Sequence, residues 1–538
     1  MSTNIYSIGL SGLQAAQAAI ATAGENISNS STPGYDEEST ILSESTGQNT
    51  GSGYIGSGVT VSTVQRAYSQ YLATALNNAQ STNSAITASY TLATDLSNLV
   101  GSSTSGIGSS ITAFFSGLED VSNSPDDTAT RQSAVSDAGT LAGEINAAGA
   151  QYDSIRTSVN TQLTDAVSQV NTYAQQIAQL NAQITSASAT GTGDAPNQLL
   201  DERDADVSSL SQLIGTSVVQ NTDGTYSVFL GSGQPLVVGS QSYSLTTQPS
   251  STNPSELTVA WESNSSGSSS SSASSTEPLT SAALQGGTIG GLVSYVTQTL
   301  DPAEAQLGAI ATSFAAQVNQ QNALGLTQAG GQGGALFSVN PTEVYANSAN
   351  TGSATVSVSL TDPTSPPTDN YTLSYAGGTY TLTDTTTNTS VTTTTAPTST
   401  TPWDVDGLSI SIGAGAMNDG DSFSIEPTAG ALDSFSVASG VTAASIAAAT
   451  PALVSASTSN TGSATVSDTS VSAGYTVPSS PTTLTYTANT TGSGGTLSGF
   501  AVGSVVTVTD PGTSTSTTYT IDGTDTTSIP YDPSTGAE

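Results

Sequence analysis

GENISNSSTPGYDEEST, residues 24–40, is where an opening helix stops. Pro33 has no amide to donate and pushes Thr32 out of the helical region. Gly34 accepts the backbone angles of a turn. Asn29, Ser30 and Ser31 compete with helix through side-chain bonds to the backbone. Upstream, Tyr6, Gly9, Leu13, Ala16, Ile20, Ala23 and Ile27 recur at spacings of 3 and 4, which is a heptad seam. Gln14, Gln17, Thr22 and Glu25 lie off it. A narrow seam of small residues cannot bury itself. It asks for a partner helix, and no neighbouring segment is tied to it by a short hairpin.

Composition narrows the function. The chain has 538 residues, enough for three or four domains with real cores by the usual domain size. Four arginines (Arg66, Arg131, Arg156 and Arg203) stand against 41 acids, with no lysine or histidine, for a net charge of −37. Nucleic acid and anionic membrane surfaces repel such a chain. Only 8% of residues are charged, so the surface is mostly Ser, Thr, Asn, Gln and Gly, as suits a protein outside the cell. Without cysteine there are neither disulfides nor thiolate metal sites. No run of about 20 apolar residues spans a membrane. No positive charge precedes Arg66, so the N-terminus is not a secretory signal peptide.

Further along, residues 64–100 read as a second helix with Leu72, Leu76, Ala79, Ile86, Tyr90 and Ala93 near one face. A third follows from Ile107 through Ile111, Phe114, Leu118 and Val121. Ser124-Pro125-Asp126-Asp127 opens a fourth, very long one, whose best part is a second heptad seam: Leu163, Ala166, Val170, Tyr173, Ile177, Leu180 and Ile184. That length favours a coiled-coil rod over a plain core stripe. PNQLLDERDADVSSLSQLIG (196–215) is a short helix, followed by strands TSVVQ, TYSVFL and PLVVG with a turn at Asp223-Gly224. Residues 263–275 are almost pure Ser, a linker or loop tip. Helix returns at 289–323, with Leu300, Leu307, Ile310, Phe314 and Val318 on one face. From about 345 the chain is β-rich. NYTLSYAGGTYTLTD is a hairpin about Gly377-Gly378, and 406–427 reads as another. TGSATVS occurs at 351–357 and again at 461–467, so two β modules stand in series.

Chemistry is sparse. Without histidine or lysine there is no base for a hydrolytic triad, and no catalytic, cofactor-binding or metal site is assigned. The acid clusters are Asp36-Glu37-Glu38, Asp201-Glu202 with Asp204 and Asp206, Asp404 with Asp406, and Asp419 with Asp421. Asn418-Asp419-Gly420-Asp421 is a turn signal that lacks the ligand run of a calcium loop. Asp201 and Arg203 read as helix-surface pairs. Asn26-Ile27-Ser28 and Asn29-Ser30-Ser31 match the weak N-glycosylation pattern.

Residues 1–40, a small-residue heptad helix closed by ENISNSSTPGY (Asn26, Ile27, Asn29, Thr32, Pro33, Gly34, Tyr35), resemble the N-terminal signature of flagellar rod, hook and hook-associated proteins. SGVTVSTVQRAYSQYL (57–72), FFSGLEDVSNSPDDTATRQSAV (114–135) and APNQLLDERDADVSSLSQLIG (195–215; Pro196, Asn197, Leu199, Leu200, Asp201, Arg203, Asp204) resemble the hook-associated protein 1 family in particular. GTIGGLVSYVTQTLD (287–301) and DGDSFSIEPT (419–428) add to it, and the resemblance covers about 1–450.

The resemblance implies an α+β multidomain chain, in which an elongated N-terminal helical coiled-coil rod with a small β-hairpin region is followed by outward β-rich domains. The expected plan is an axial helix and turn (1–40), a long helical rod (41–190), a helix plus β-hairpins (191–245) and a Ser-rich linker or loop (246–285). A returning helix of the rod (286–345), a β-rich outer domain (346–430), an Ala-rich connector (431–460) and an incomplete second β module (461–538) complete it. In the family the N-terminal helix pairs with a C-terminal helix that this sequence lacks, and the chain leaves through the flagellar export channel with no cleaved signal peptide. Implied partners are the hook protein, a second junction protein, further copies in a ring, and an export chaperone. The expected function is a structural junction between hook and filament. The alternatives are another axial protein of hook or distal rod, and an extracellular adhesin or surface-layer protein, which the Thr-rich β repeats motivate. An acidic glycan hydrolase needs two carboxylates roughly 5 to 10 Å apart in a cleft, and no spacing here suggests one.

Overall fold

The computed structural model describes residues 3–49, 53–100, 106–189, 196–265, 276–450, 454–462, 471, 480–510, 513–524 and 527–535. The Ser run at 266–275 and most of the second TGSATVS copy lie outside the described residues. The chain divides into two compact units: residues 1–111, 140–314 and 339–436 form one, and residues 112–139, 315–338 and 437–538 the other.

The first unit begins with α1 (Thr3–Asn29) and an antiparallel pair, β1 (Glu38–Glu44) with β4 (Val59–Arg66), that encloses the two-residue strands β2 (Gln48–Asn49) and β3 (Tyr54–Ile55). Helix α2 (Gln70–Val100) follows, so residues 64–66, expected to be helical, close the hairpin instead. The face of α2 that packs is also not the apolar one. Ser81, Leu92 and Leu96 are buried, while Leu72, Leu76, Ile86 and Tyr90 are exposed. The cause is a close approach by α6 (Gly287–Tyr295): a Cβ on Gly291 would stand 2.3 Å from the Ala85 carbonyl oxygen, so only small residues fit between the two backbones.

Helix α3 (Ile107–Asn123) ends at the predicted Ser-Pro-Asp-Asp break, and the 62-residue α4 (Thr128–Ala189) starts with the Ala129 amide donating to Asp127 Oδ1 at 2.8 Å. In the first unit Leu163, Val170, Ile177, Leu180 and Ile184 of α4 are buried and Tyr173 is half-buried. Ala166, Val167, Ala174 and Ala178 are buried too, so the covered stripe is wider than a two-position seam. Polar residues along it meet strands. Asn171 exchanges two 2.8 Å bonds with the backbone of Leu245, and Asn160 accepts from Leu257 N at 3.1 Å. Those strands belong to a six-stranded antiparallel meander that follows α5 (Asn197–Leu213): β5 (Thr216–Gln220), β6 (Tyr226–Leu230), β7 (Pro235–Val238), β8 (Gln241–Pro249), β9 (Leu257–Ser265) and β10 (Thr276–Pro278).

After α6 comes one turn of π-helix, Val296–Leu300, and then α7 (Asp301–Ala323). Ile310, expected on the packed face, is exposed. Residues 343–426 form two sheets around one core. One sheet runs β12 (Glu343–Ala346), β19 (Ser422–Glu426), β14 (Tyr371–Ala376), β15 (Thr379–Asp384), β16 (Ser390–Thr393); the other runs β13 (Val356–Leu360), β18 (Leu408–Ile412), β17 (Trp403–Val405). Their shared core is Tyr371, Leu373, Leu382, Leu408, Ile410, Met417, Phe423 and Ile425. The Gly377-Gly378 hairpin is present, with Ala376 opposite Thr379. The 406–427 stretch is not a hairpin. Its two strands, β18 and β19, pair with other strands in different sheets. Asp421 explains the detour: its carboxylate accepts from the amides of Asn418 (2.7 Å), Thr351 (2.8 Å) and Gly352 (3.0 Å), which ties the turn to the first TGSATVS copy. Those bonds, Asn418 first, hold the carboxyl below its usual range, so this acid is a backbone clamp.

In the second unit the Phe114 and Phe337 rings meet edge-on at 5.4 Å. Arg131 is buried and donates to the carbonyls of Pro125 (2.6 Å), Ala443 (3.2 Å) and Ile446 (2.8 Å). Later residues of this unit form a three-stranded sheet, β21 (Thr485–Ala488), β22 (Gly495–Ser498) and β25 (Ser528–Tyr531), and a two-stranded one, β23 (Val505–Asp510) with β24 (Thr515–Thr520).

Candidate assembly site at the N-terminal helix

Helix α1 has two unlike faces. Ser11, Ala15, Thr22 and Asn26 look onto the β1–β4 hairpin, where Ala15 is 4% exposed, Thr22 Oγ1 meets Thr40 Oγ1 at 3.0 Å and Val59 N donates to Ser11 Oγ at 3.2 Å. The heptad seam points elsewhere: Tyr6 is 80%, Leu13 56%, Ile20 73% and Ile27 75% exposed. Ala16 and Ala23 are exposed between them.

The signature holds that orientation. Asn26 Nδ2 donates to Glu38 O (2.8 Å), while its Oδ1 accepts from Glu38 N (2.9 Å) and the Tyr35 hydroxyl (2.7 Å). One amide thus satisfies both backbone groups of the first strand residue, as a neighbouring strand would. Asn29 caps the helix end, donating to Glu25 Oε1 (2.8 Å) and accepting from Thr32 Oγ1 (3.3 Å). Pro33 precedes Gly34, whose φ of +84° takes the chain through the turn. There the backbone passes α5: a Cβ on Gly34 would lie 3.2 Å from the Ala205 methyl.

The family helix closes the arrangement from the other side. Asn197 donates to Glu38 Oε1 (2.9 Å) and Val64 O (3.0 Å). Arg66, at the end of β4, pairs with Asp201, with Asp204 at 3.0 Å and with Asp36 at 3.4 Å, and its guanidinium lies 4.9 Å from the Tyr68 ring centre. Burial alone would pull the Arg66 guanidinium down, but the Asp201 and Asp204 contacts outweigh it and its pKa rises. Burial lifts the Asp204 and Asp36 carboxyls, against the pull of Arg66. Arg203 is not a surface residue. It is 1% exposed, stacks 3.4 Å over Tyr226, and donates to Asn181 Oδ1 (3.1 Å) and Gly224 O (2.8 Å). Burial lowers its pKa. The expected surface pairing of Asp201 and Arg203 is therefore replaced by two separate jobs: Asp201 holds the hairpin, and Arg203 holds α5 to α4 and β6. Asn181 completes the knot, giving Nδ2 to Tyr226 O (2.8 Å) and Gly239 O (2.7 Å). Leu199 and Leu200 are half-buried and Pro196 opens the helix.

Three stretches far apart in sequence therefore meet: the signature turn, the QRAY end of β4 and the DERD turn of α5. Their polar groups are used on one another. Among the described residues no group of three or more acids could hold a metal ion. What remains open to a partner is the apolar seam of α1.

The chain is similar to known proteins. Residues 7–35 match the family description "Flagella basal body rod protein", 93–337 "Flagellar hook-associated protein FlgK helical domain", 345–427 "Flagellar hook-associated protein 1, D2-like domain" and 451–538 "Flagellar hook-associated protein 1, D3 domain". Flagellar hook-associated protein 1 of Salmonella typhimurium is 32% identical over 425 residues, 79% of this chain and 75% of the relative. The Escherichia coli protein of that name is 31% identical over 424 residues, with the same coverage. The solved structure of the flagellar hook junction protein FlgK from Burkholderia pseudomallei is 50% identical and superposes with a TM-score of 0.77, covering 86% of this chain and 81% of that one. The chain belongs to the flagellar hook-associated protein 1 family.

Proposed function

We propose that the chain is a structural, non-enzymatic component of the bacterial flagellum that joins hook to filament and so lets flagellin assemble. The observation that carries this is the division of labour on α1: one face fixed by the signature to a rigid hairpin, the other an apolar heptad seam held out, unpartnered among the described residues. A helix presented this way serves end-to-end assembly better than catalysis or adhesion. Its partners are other axial proteins: hook protein, a second junction protein and further copies of itself in a ring, with an export chaperone before assembly. The working location is outside the cell, reached through the flagellar export channel without a cleaved signal peptide. No described helix is long and apolar enough to cross a membrane.

The test is genetic. Removing residues 2–30 from the gene should leave completed hooks without filaments and flagellin in the medium, while removing 461–538 should leave filaments attached. Filaments per hook are counted by electron microscopy. Normal filaments without 2–30, or bald hooks without 461–538, would overturn the proposal. An adhesin gives filaments in both strains and loses surface attachment with the β module.

A further inference from the structure

Within the first unit a second charged cluster lies far from the α1 hairpin in sequence, and its arithmetic is unbalanced. Arg156 of α4 pairs with Glu256 just before β9, with Glu304 on α7, and with Asp301 at 3.0 Å. Asn253 donates to Glu256 Oε1 (3.4 Å) and reaches across to Glu426 Oε1 (3.3 Å), on β19 of the β domain. Glu256 is itself hydrogen-bonded to Asp301. Three carboxyls therefore pair with one cation, and a fourth, Glu426, joins them through Asn253. The neighbours add no positive charge. From α4 come Tyr152 and Asp153, from β12 Glu343 and Tyr345, which bond to each other, and from residues 431–434 Asp433. Crowding half-buried carboxyls around one guanidinium opposes their joint ionisation, so the cluster favours holding protons.

The cluster ties the β domain to α4 and α7. The β domain has its own core, made of its own residues. Other links to the helices are Thr428 Oγ1 to Ala305 O (2.9 Å) and Ser313 Oγ to Thr364 O (2.7 Å), and just beyond β19 the Phe435 ring meets Phe314 of α7 at 6.5 Å. We propose that the Arg156 cluster is a proton-operated latch, closed while Glu256, Asp301, Glu304 and Glu426 share protons and loosened as they ionise, which frees the 343–428 β domain from α4 and α7.

The direction follows from burial. It pushes Glu256 up to about 8, with Asp301 adding to it, and Glu304 and Glu426 each up to about 7. Burial also lifts Asp301, Asp433 and Tyr345. A carboxyl raised in the docked state stabilises that state below its free value and loses the contribution as pH climbs through the docked value. The latch is therefore tightest below the free carboxyl value of 4.5, loosens steadily as pH climbs from there to the docked values of about 7 to 8, and changes no further above them.

Hydrogen exchange on the full chain tests this, after correction for the intrinsic pH dependence of exchange. Peptides covering 301–306 and 424–433 report the latch; the β14–β15 hairpin is the internal reference. The opening constant of the latch peptides should rise about tenfold per pH unit for each proton released, while the reference stays flat. Glu426→Gln, neutral at every pH, should lower the slope and keep the latch protected at pH 8.5. Glu256→Gln is the second variant. A flat profile in the unmodified protein overturns the proposal, as does an equal rise in the reference hairpin, or a slope in both variants that matches the unmodified protein.

Discussion

Asn26→Ala removes the amide that joins α1 to the hairpin. Three bonds go at once: to Glu38 O, from Glu38 N and from the Tyr35 hydroxyl. Each is worth about 1 kcal/mol net, and the site is half-buried, so water can reach the freed groups of Glu38. The loss is therefore about 2–3 kcal/mol, roughly a 30- to 150-fold rise in local opening. It should be local, because Asn26 touches none of the α4 core. Exchange of the Glu38 amide and of the Ala15–Asn26 turns should accelerate by that factor, while Val170 and Ile177 stay protected. Asn26→Asp keeps the acceptor but turns a carboxylate towards the Glu38 carbonyl, so it should rescue little. Unchanged exchange at Glu38 would refute the role given to Asn26. Equal loss across α4 would show instead that Asn26 supports the whole unit.

Two further substitutions test the interior. Ile177→Asp places a charge where exposure is 0% and should cost about 3 kcal/mol or more, read as a lower melting temperature; an unchanged melt would refute burial of the α4 stripe. Arg66→Gln leaves Asp36, Asp201 and Asp204 facing one another and should cost about 3 kcal/mol at pH 7 in chemical denaturation. That cost should shrink towards pH 4 as the carboxyls take up protons, and a cost independent of pH would show that the cluster is not electrostatic.

Some of this structure was legible in the residues and some was not, for physical reasons. The α4 stripe and the α5 helix were visible because local periodicity determines which face is apolar. Strands β8 and β9 were not predicted: QSYSLTTQP is polar at most positions, and only packing by α4 makes it a strand of a covered sheet. The pairing of 406–427 was misjudged because alternation specifies a strand but not its neighbour, and the neighbours β13 and β14 lie dozens of residues away. On α2 the visible apolar stripe faces outward, since the inward face is chosen by how closely the α6 backbone approaches. The signature was recognised at once, yet its work was hidden. Asn26 acts on Glu38, twelve positions on, and nothing in the helix announces that. Arg203 looked like a surface residue for the same reason: Tyr226 and Asn181, which bury it, are distant in sequence.

The four arginines have a consequence for handling the protein. Arg131, Arg156 and Arg203 are each under 9% exposed, and the Arg66 side chain is 7% exposed. There is no lysine. Trypsin cuts only after these two residue types, so the folded chain offers it no accessible bond among the described residues, while the unfolded chain offers four. Cleavage after Arg203 would release residues 204–538 as one large fragment. A brief tryptic digest therefore counts unfolded molecules directly: the rate at which that fragment accumulates measures how often the buried guanidinium joints of the first unit come apart.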